Sequence, residues 1–166
     1  MKKNAIFLLA VVTLLTLLGA CGAGEEPAPK PPTLVVVAGD ENHQALLGTY
    51  HWRQLHLGGI KEVCADSPHP LDCQDFLPLL DARQATVRLQ FAKAPDGPLS
   101  ARCWSDQQWG NPLADSRKVS VTGDSLPLRP GGWIYEVTAR WGTEHGPGGE
   151  ACYAFYAMGP DIPVQS

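Results

Sequence analysis

The sequence predicts an all-β domain carried on an exported, tethered chain, and three observations point there. Between Thr33 and Met158 many short stretches rich in strand-forming residues are separated by glycine, proline and Asn/Asp turn signals. Several of them alternate apolar and polar residues with period two, as a strand with one buried face does. Ahead of them stands a basic start, a short apolar run and a small-residue site ending in cysteine.

Lys2 and Lys3 give the basic start, and Ile6 to Leu18 is apolar apart from Thr13 and Thr16. That run is too short for a comfortable membrane span, which needs about 20 apolar residues. Leu18-Gly19-Ala20-Cys21 resembles the lipobox of bacterial lipoproteins, a likeness confined to this N-terminal segment. It implies that residues 1–20 are a cleaved signal and that the Cys21 thiol carries a diacylglycerol. The expected location is then the extracytoplasmic face of the cell membrane, with the lipid bilayer as a partner through acylated Cys21. Each buried CH₂ of an acyl chain contributes about 0.8 kcal/mol, and two chains anchor stably. Residues 21–33, rich in proline and lacking large apolar side chains up to Pro32, read as an extended linker that adds nothing to a core.

Removing residues 1–20 takes away Lys2 and Lys3 and no acid, so the formal charge of −4 becomes −6. A weakly acidic exported chain is a poor candidate for binding nucleic acids or anionic lipids, both of which are met by basic patches, so no nucleic-acid partner is expected. With Cys21 used by lipid, Cys64, Cys73, Cys103 and Cys152 remain, an even number in an oxidising compartment. Two disulfides are expected, Cys64–Cys73 and Cys103–Cys152 being the favoured of three connectivities. A zinc site of Cys64, His69 and Cys73 is the alternative, but its spacing fits no common zinc motif. Neither a metal nor another cofactor is expected.

Residues 34–160 form one domain, followed by a 161–166 tail. Thr33–Ala38 reads as a buried strand, Gly39–Asn42 as a turn and Ala45–Leu57 as a second strand. Gly58-Gly59 breaks it, and Ile60–Cys64 is a short strand. Ala65–Pro78 is a proline-rich loop, with a short helical turn allowed around Asp72–Leu80 within the limits the prolines set. In Ala85–Phe91, Val87, Leu89 and Phe91 share one face. Leu99–Ser105 is a strand, in which Trp104 faces opposite to Cys103. Asp106–Arg117 is a polar loop holding Trp109, and short strands flank Gly123-Asp124. Trp133–Trp141 has the clearest alternation: Trp133, Tyr135, Val137, Ala139 and Trp141 face inward, against Ile134, Glu136, Thr138 and Arg140. Ala151–Met158 closes a hairpin with it. The pattern predicts a β-sandwich of about seven to nine strands, immunoglobulin-like in topology, with the two last strands central and long.

Gly48-Thr49-Tyr50-x-Trp52, Pro95-Asp96, Gly131-x-Trp133-x-Tyr135-x-Val137-x-Ala139-x-Trp141 and Tyr153-Ala154-Phe155 resemble a pattern in uncharacterised lipoproteins of Gram-positive bacteria. That likeness implies an immunoglobulin-like β-sandwich and supports the fold more than any activity. The closing hairpin is also similar to that of an intracellular subtilisin-inhibitor family with an immunoglobulin-like domain, although no inhibitory loop maps onto this chain.

No nucleophile elbow, HExxH pair, P-loop or dinucleotide fingerprint is present. With every cysteine paired or acylated, no thiol nucleophile remains, so no catalytic residue is assigned. His43, His51, His56, His69 and His145 read as surface or loop residues; His51 and His56 would face opposite ways on one straight strand. Asp66, Asp72, Asp75 and Asp81 match no EF-hand pattern and read as a solvated face. Among the tryptophans, Trp52, Trp133 and Trp141 read as core, and Trp109, in a polar loop, is the expected binding residue. The expected function is a membrane-anchored binding module for an envelope protein, peptide or glycan. A protease inhibitor of immunoglobulin-like fold and a cell-envelope hydrolase are the alternatives.

Overall fold

The computed structural model of the chain describes residues 29–82, 84–142 and 146–160. The lipobox residues Leu18–Cys21, most of the linker, His145 and the 161–166 tail lie outside the described residues. No helix among the described residues is long and apolar enough to cross a membrane.

Eleven strands are described: β1 (Leu34–Ala38), β2 (Glu41–Gln44), β3 (Leu46–His56), β4 (Gly59–Ala65), β5 (Leu79–Asp81), β6 (Thr86–Phe91), β7 (Ser100–Ser105), β8 (Arg117–Val119), β9 (Ser125–Pro127), β10 (Gly131–Trp141) and β11 (Gly148–Gly159). They form a four-stranded sheet, β2-β1-β6-β9, and a seven-stranded sheet, β4-β3-β11-β10-β7-β8, with β5 parallel to the end of β11. The all-β sandwich is therefore as expected, with more strands than the seven to nine counted from the sequence. Residues Glu41–Gln44 form an edge strand that begins within the expected Gly39–Asn42 turn, and β5 lies where the end of a helical turn over Asp72–Leu80 was allowed for.

The orders β1-β6-β9 and β11-β10-β7-β8 are those that strands A-B-E and G-F-C-C′ follow in an immunoglobulin-like sandwich, and among the described residues β9 is the edge of its sheet. A tyrosine corner accompanies them. Tyr135, in the strand equivalent to F, accepts a hydrogen bond at its hydroxyl from the Arg129 backbone N–H at 2.7 Å. Such domains place their cysteine two residues after that tyrosine. Here Val137 fills the position, fully buried. The β3–β4 hairpin is an insertion between A and B that extends the large sheet beyond β11.

The main core lies between the sheets. Leu34, Val36, Val87, Leu89 and Leu126 of the small sheet meet Tyr135, Val137, Ala139, Trp141, Tyr153 and Phe155 of the large one. The alternation read in Trp133–Trp141 is what points those side chains inward. Phe91, Trp141 and Tyr153 pack edge to face, Trp52 joins them through Trp141, and Tyr135 stacks on Phe155. Polar tips find backbone partners: Trp141 Nε1 donates to the Lys93 carbonyl at 3.0 Å.

The linker's last residues belong to the fold. Tyr153 donates its hydroxyl to the Pro32 carbonyl at 2.5 Å, and Pro29 and Pro31 are buried. The expectation that this proline-rich stretch adds nothing to a core is corrected at Pro29 and Pro31. Rigid proline rings cover the sandwich at little cost in conformational entropy.

A second, smaller core lies on the opposite face of the large sheet. The loop of residues 66–78 folds back over it, with a 3-10 turn at Pro70–Asp72. Leu71, Cys73 and Leu77 thereby bury Trp104, Ile134 and Ala154. Trp104 does face opposite to Cys103, and its indole N–H donates to the Ala114 carbonyl at 3.1 Å.

Candidate functional site

The outward face of the large sheet carries the chemistry, in three zones that follow β3 and β4 from base to tip. At the base, β3 bulges: Leu47 pairs with Tyr153 and Tyr50 with Ala151, so Gly48 and Thr49 together oppose Cys152. Bulges of this kind recur beside binding and catalytic sites. A cavity of about 370 Å³ opens here, lined among others by Thr49, His69, Cys73, Arg102, Glu136 and Cys152. Its volume is in the range of small-ligand sites. Glu136 is only 7% exposed, and its carboxylate accepts from Arg102 Nε at 2.7 Å. The guanidinium also lies over the Trp104 ring, 4.8 Å from its centroid.

The polar groups of this cavity largely satisfy one another. His69 Nδ1 accepts from the Leu71 N–H, Thr49 Oγ1 accepts from the Ser67 N–H, and the Cys73 thiol faces the Pro68 carbonyl. Burial pushes the Cys73 and Cys152 thiols up from their ordinary range, with smaller additions from Asp72 at Cys73 and from Glu136 and Glu150 at Cys152. Such thiols stay protonated at neutral pH and are weak nucleophiles. The cavity is a seam between the 66–78 loop and the sheet, and its two thiols are held in their protonated form.

The four cysteines expected to pair are free thiols, and none lies at disulfide distance from another. The register supplies the reason. Cys103 pairs across the ladder with Tyr135, and Cys152 with Thr138. Those positions on β10 differ by three residues, so the two thiols occupy opposite faces of one sheet. Cys103 lies in the main core, where burial raises its pKa, and Cys152 opens on the outward face. Cys64 is exposed on the edge strand β4, and Cys73 is buried in the second core. The same separation leaves Cys64, His69 and Cys73 short of a zinc site.

Midway along the hairpin, His51 is paired directly with Cys64, and Glu62 lies two residues from Cys64 on the same face. His51 Nε2 contacts Glu62 Oε1. Gly149 seats this part of β3 against β11; a Cβ there would collide with the His51 carbonyl oxygen.

At the tip the hairpin runs free of the sheet. β11 pairs with β3 only as far as Arg53, so residues 54–61 form a two-stranded ribbon held by its own ladder. Leu55 and Ile60 are cross-strand partners, 65% and 50% exposed, and Leu57 in the turn is fully exposed. Three large aliphatic side chains at one projecting end form a concentrated apolar surface.

Trp109, the expected binding residue, is half-buried. Its ring meets Tyr156 edge to face at 5.6 Å and packs against the second core. Trp133 is also partly buried, with the guanidinium groups of Arg117 and Arg129 over its ring. Asp66, Asp72, Asp75 and Asp81 are all exposed. The apolar tip was the feature sequence reading missed, although Leu55, Leu57 and Ile60 around Gly58-Gly59 carried the signal. No family model, no curated protein and no solved structure matches the chain.

Proposed function

We propose that the chain is a membrane-anchored, extracytoplasmic binding module, held by acylated Cys21, that contacts a partner protein of the cell envelope through the β3–β4 tip. The observation that supports this is the projecting apolar end itself. Leaving Leu55, Leu57 and Ile60 in water forfeits about 1.5 kcal/mol or more of burial per side chain, which a partner would recover. Aliphatic residues suit a protein pocket; glycans are more often met by aromatic faces. The satisfied polar groups of the basal cavity favour recognition over hydrolysis.

The test is capture from envelope extracts by the full-length chain, comparing wild type with Leu57→Asp and with Trp109→Ala. A specific partner should be captured by wild type and by Trp109→Ala, and lost with Leu57→Asp. Equal capture by Leu57→Asp would refute the tip as the contact. The inhibitor alternative draws on the same projection, and a panel of envelope and secreted proteases measured with the wild-type chain separates it from simple binding.

A further inference from the structure

We propose that His51, Glu62 and Cys64 form a binding site for a zinc-class divalent ion on the outward face of the β3–β4 hairpin. One ligand atom from each residue, an imidazole nitrogen, a carboxylate oxygen and a sulfur, lies within 4.8 Å of the other two. Metal–nitrogen and metal–oxygen bonds of about 2.0 Å and metal–sulfur bonds of about 2.3 Å place tetrahedral ligand atoms roughly 3.5 Å apart. Modest rotamer changes therefore close the three donors round an ion. The backbone needs no change, because the ladder already sets His51 opposite Cys64, with Glu62 diagonal to His51.

The donor set selects the ion. Calcium and magnesium take oxygen ligands, whereas a nitrogen, an oxygen and a thiolate suit zinc and its borderline neighbours. Binding would displace the thiol proton to solvent and leave the sulfur as thiolate. Three protein ligands leave a fourth position for water or for a side chain of another molecule. Glu150 stands directly across from His51 on β11 and is engaged in an ion pair with Arg140, so it is not counted among the ligands. The cluster lies between the self-satisfied cavity and the apolar tip, and its ligands are partly or fully exposed, so an ion can enter without unfolding.

Cobalt(II) is the probe, added to the reduced, metal-free, full-length chain in detergent. The expected result is one equivalent bound with a thiolate-to-cobalt charge-transfer band, bleached when zinc is added. Cys64→Ser should abolish that band, and His51→Ala should weaken cobalt binding about tenfold or more. Cys21→Ser, Cys73→Ser, Cys103→Ser and Cys152→Ser should each keep it. No charge-transfer band in the wild-type chain, or a band that survives Cys64→Ser, would overturn the proposal and leave His51–Glu62 an ordinary surface ion pair. The readout does not depend on partner capture, so failure of the tip contact and failure of the metal site remain distinguishable.

Discussion

The two faces of the seven-stranded sheet are built from the same strands and behave as different materials. The inward face is aromatic and aliphatic, buried at its centre and partly buried at Trp52 and Trp133, with its few polar tips bonded to backbone. The outward face carries the Arg102–Glu136 pair, two buried or half-buried thiols, the His51–Glu62–Cys64 group and the exposed tip. Alternation along each strand keeps the two sets apart, so a residue's neighbours depend first on the parity of its position. The difference teaches that the sandwich interior is scaffold, whereas the inserted β3–β4 hairpin and the ground beside it carry the exposed apolar, thiol and titratable groups.

The largest effect that separates the faces is a truncation inside against one outside. Trp141→Ala removes a ring packed on Trp52, Phe91 and Tyr153 and should cost about 3–5 kcal/mol in denaturant unfolding. Leu57→Asp, at the tip, should change stability by about 0.5 kcal/mol or less. Comparable costs at the two positions would contradict the division.

Alkaline pH probes the inward face next. Burial pushes the Tyr135 hydroxyl up to about 12 despite the opposing Arg129 N–H. A folded-state value above the unfolded one, near 10, favours the neutral form in the folded protein. That stabilisation is complete below about pH 10 and is lost as pH rises from there towards 12, about 3 kcal/mol for this group. Tyr153, raised by burial and by Cys152, extends the loss in the same direction. The raised thiols of Cys73, Cys103 and Cys152 begin it nearer pH 9. Denaturant midpoints measured from about pH 8 to 12 should fall along this course, and Tyr135→Phe should shallow the limb above pH 10.

Thiol accessibility sharpens the comparison with a smaller, kinetic effect. Without reductant, alkylation should modify exposed Cys64 first, Cys152 and Cys73 more slowly, and core Cys103 only with global unfolding. All four should be modified in denaturant. Four unreactive sulfurs in denaturant would restore the disulfide pairing expected from the sequence.

Much of the inward face was legible because each strand announces its own alternation. Val87 and Leu89, and the run from Trp133 to Trp141, needed only period two. What joins one strand to another was harder to read. Cys103 and Cys152 each lie on a correctly placed strand, yet their facing depends on register with β10, which no local pattern records. The Pro32 carbonyl is held by the Tyr153 hydroxyl, more than a hundred residues away in sequence. At the hairpin the missing datum was the turn. Placing it at Leu57-Gly58 fixes the ladder and sets His51 opposite Cys64; the Gly58-Gly59 break left that register open. That Leu55 and Ile60 stay exposed follows from β11 ending its pairing at Arg53, a tertiary fact with no sequence mark.

Site-specific photo-crosslinking on native membranes tests the central claim most directly, with the photoreactive residue placed at position 57 in one full-length variant and at position 109 in another. The account predicts a discrete protein adduct from position 57 and none from position 109. An adduct from position 109 with none from position 57 would contradict it and return the binding surface to the Trp109 loop.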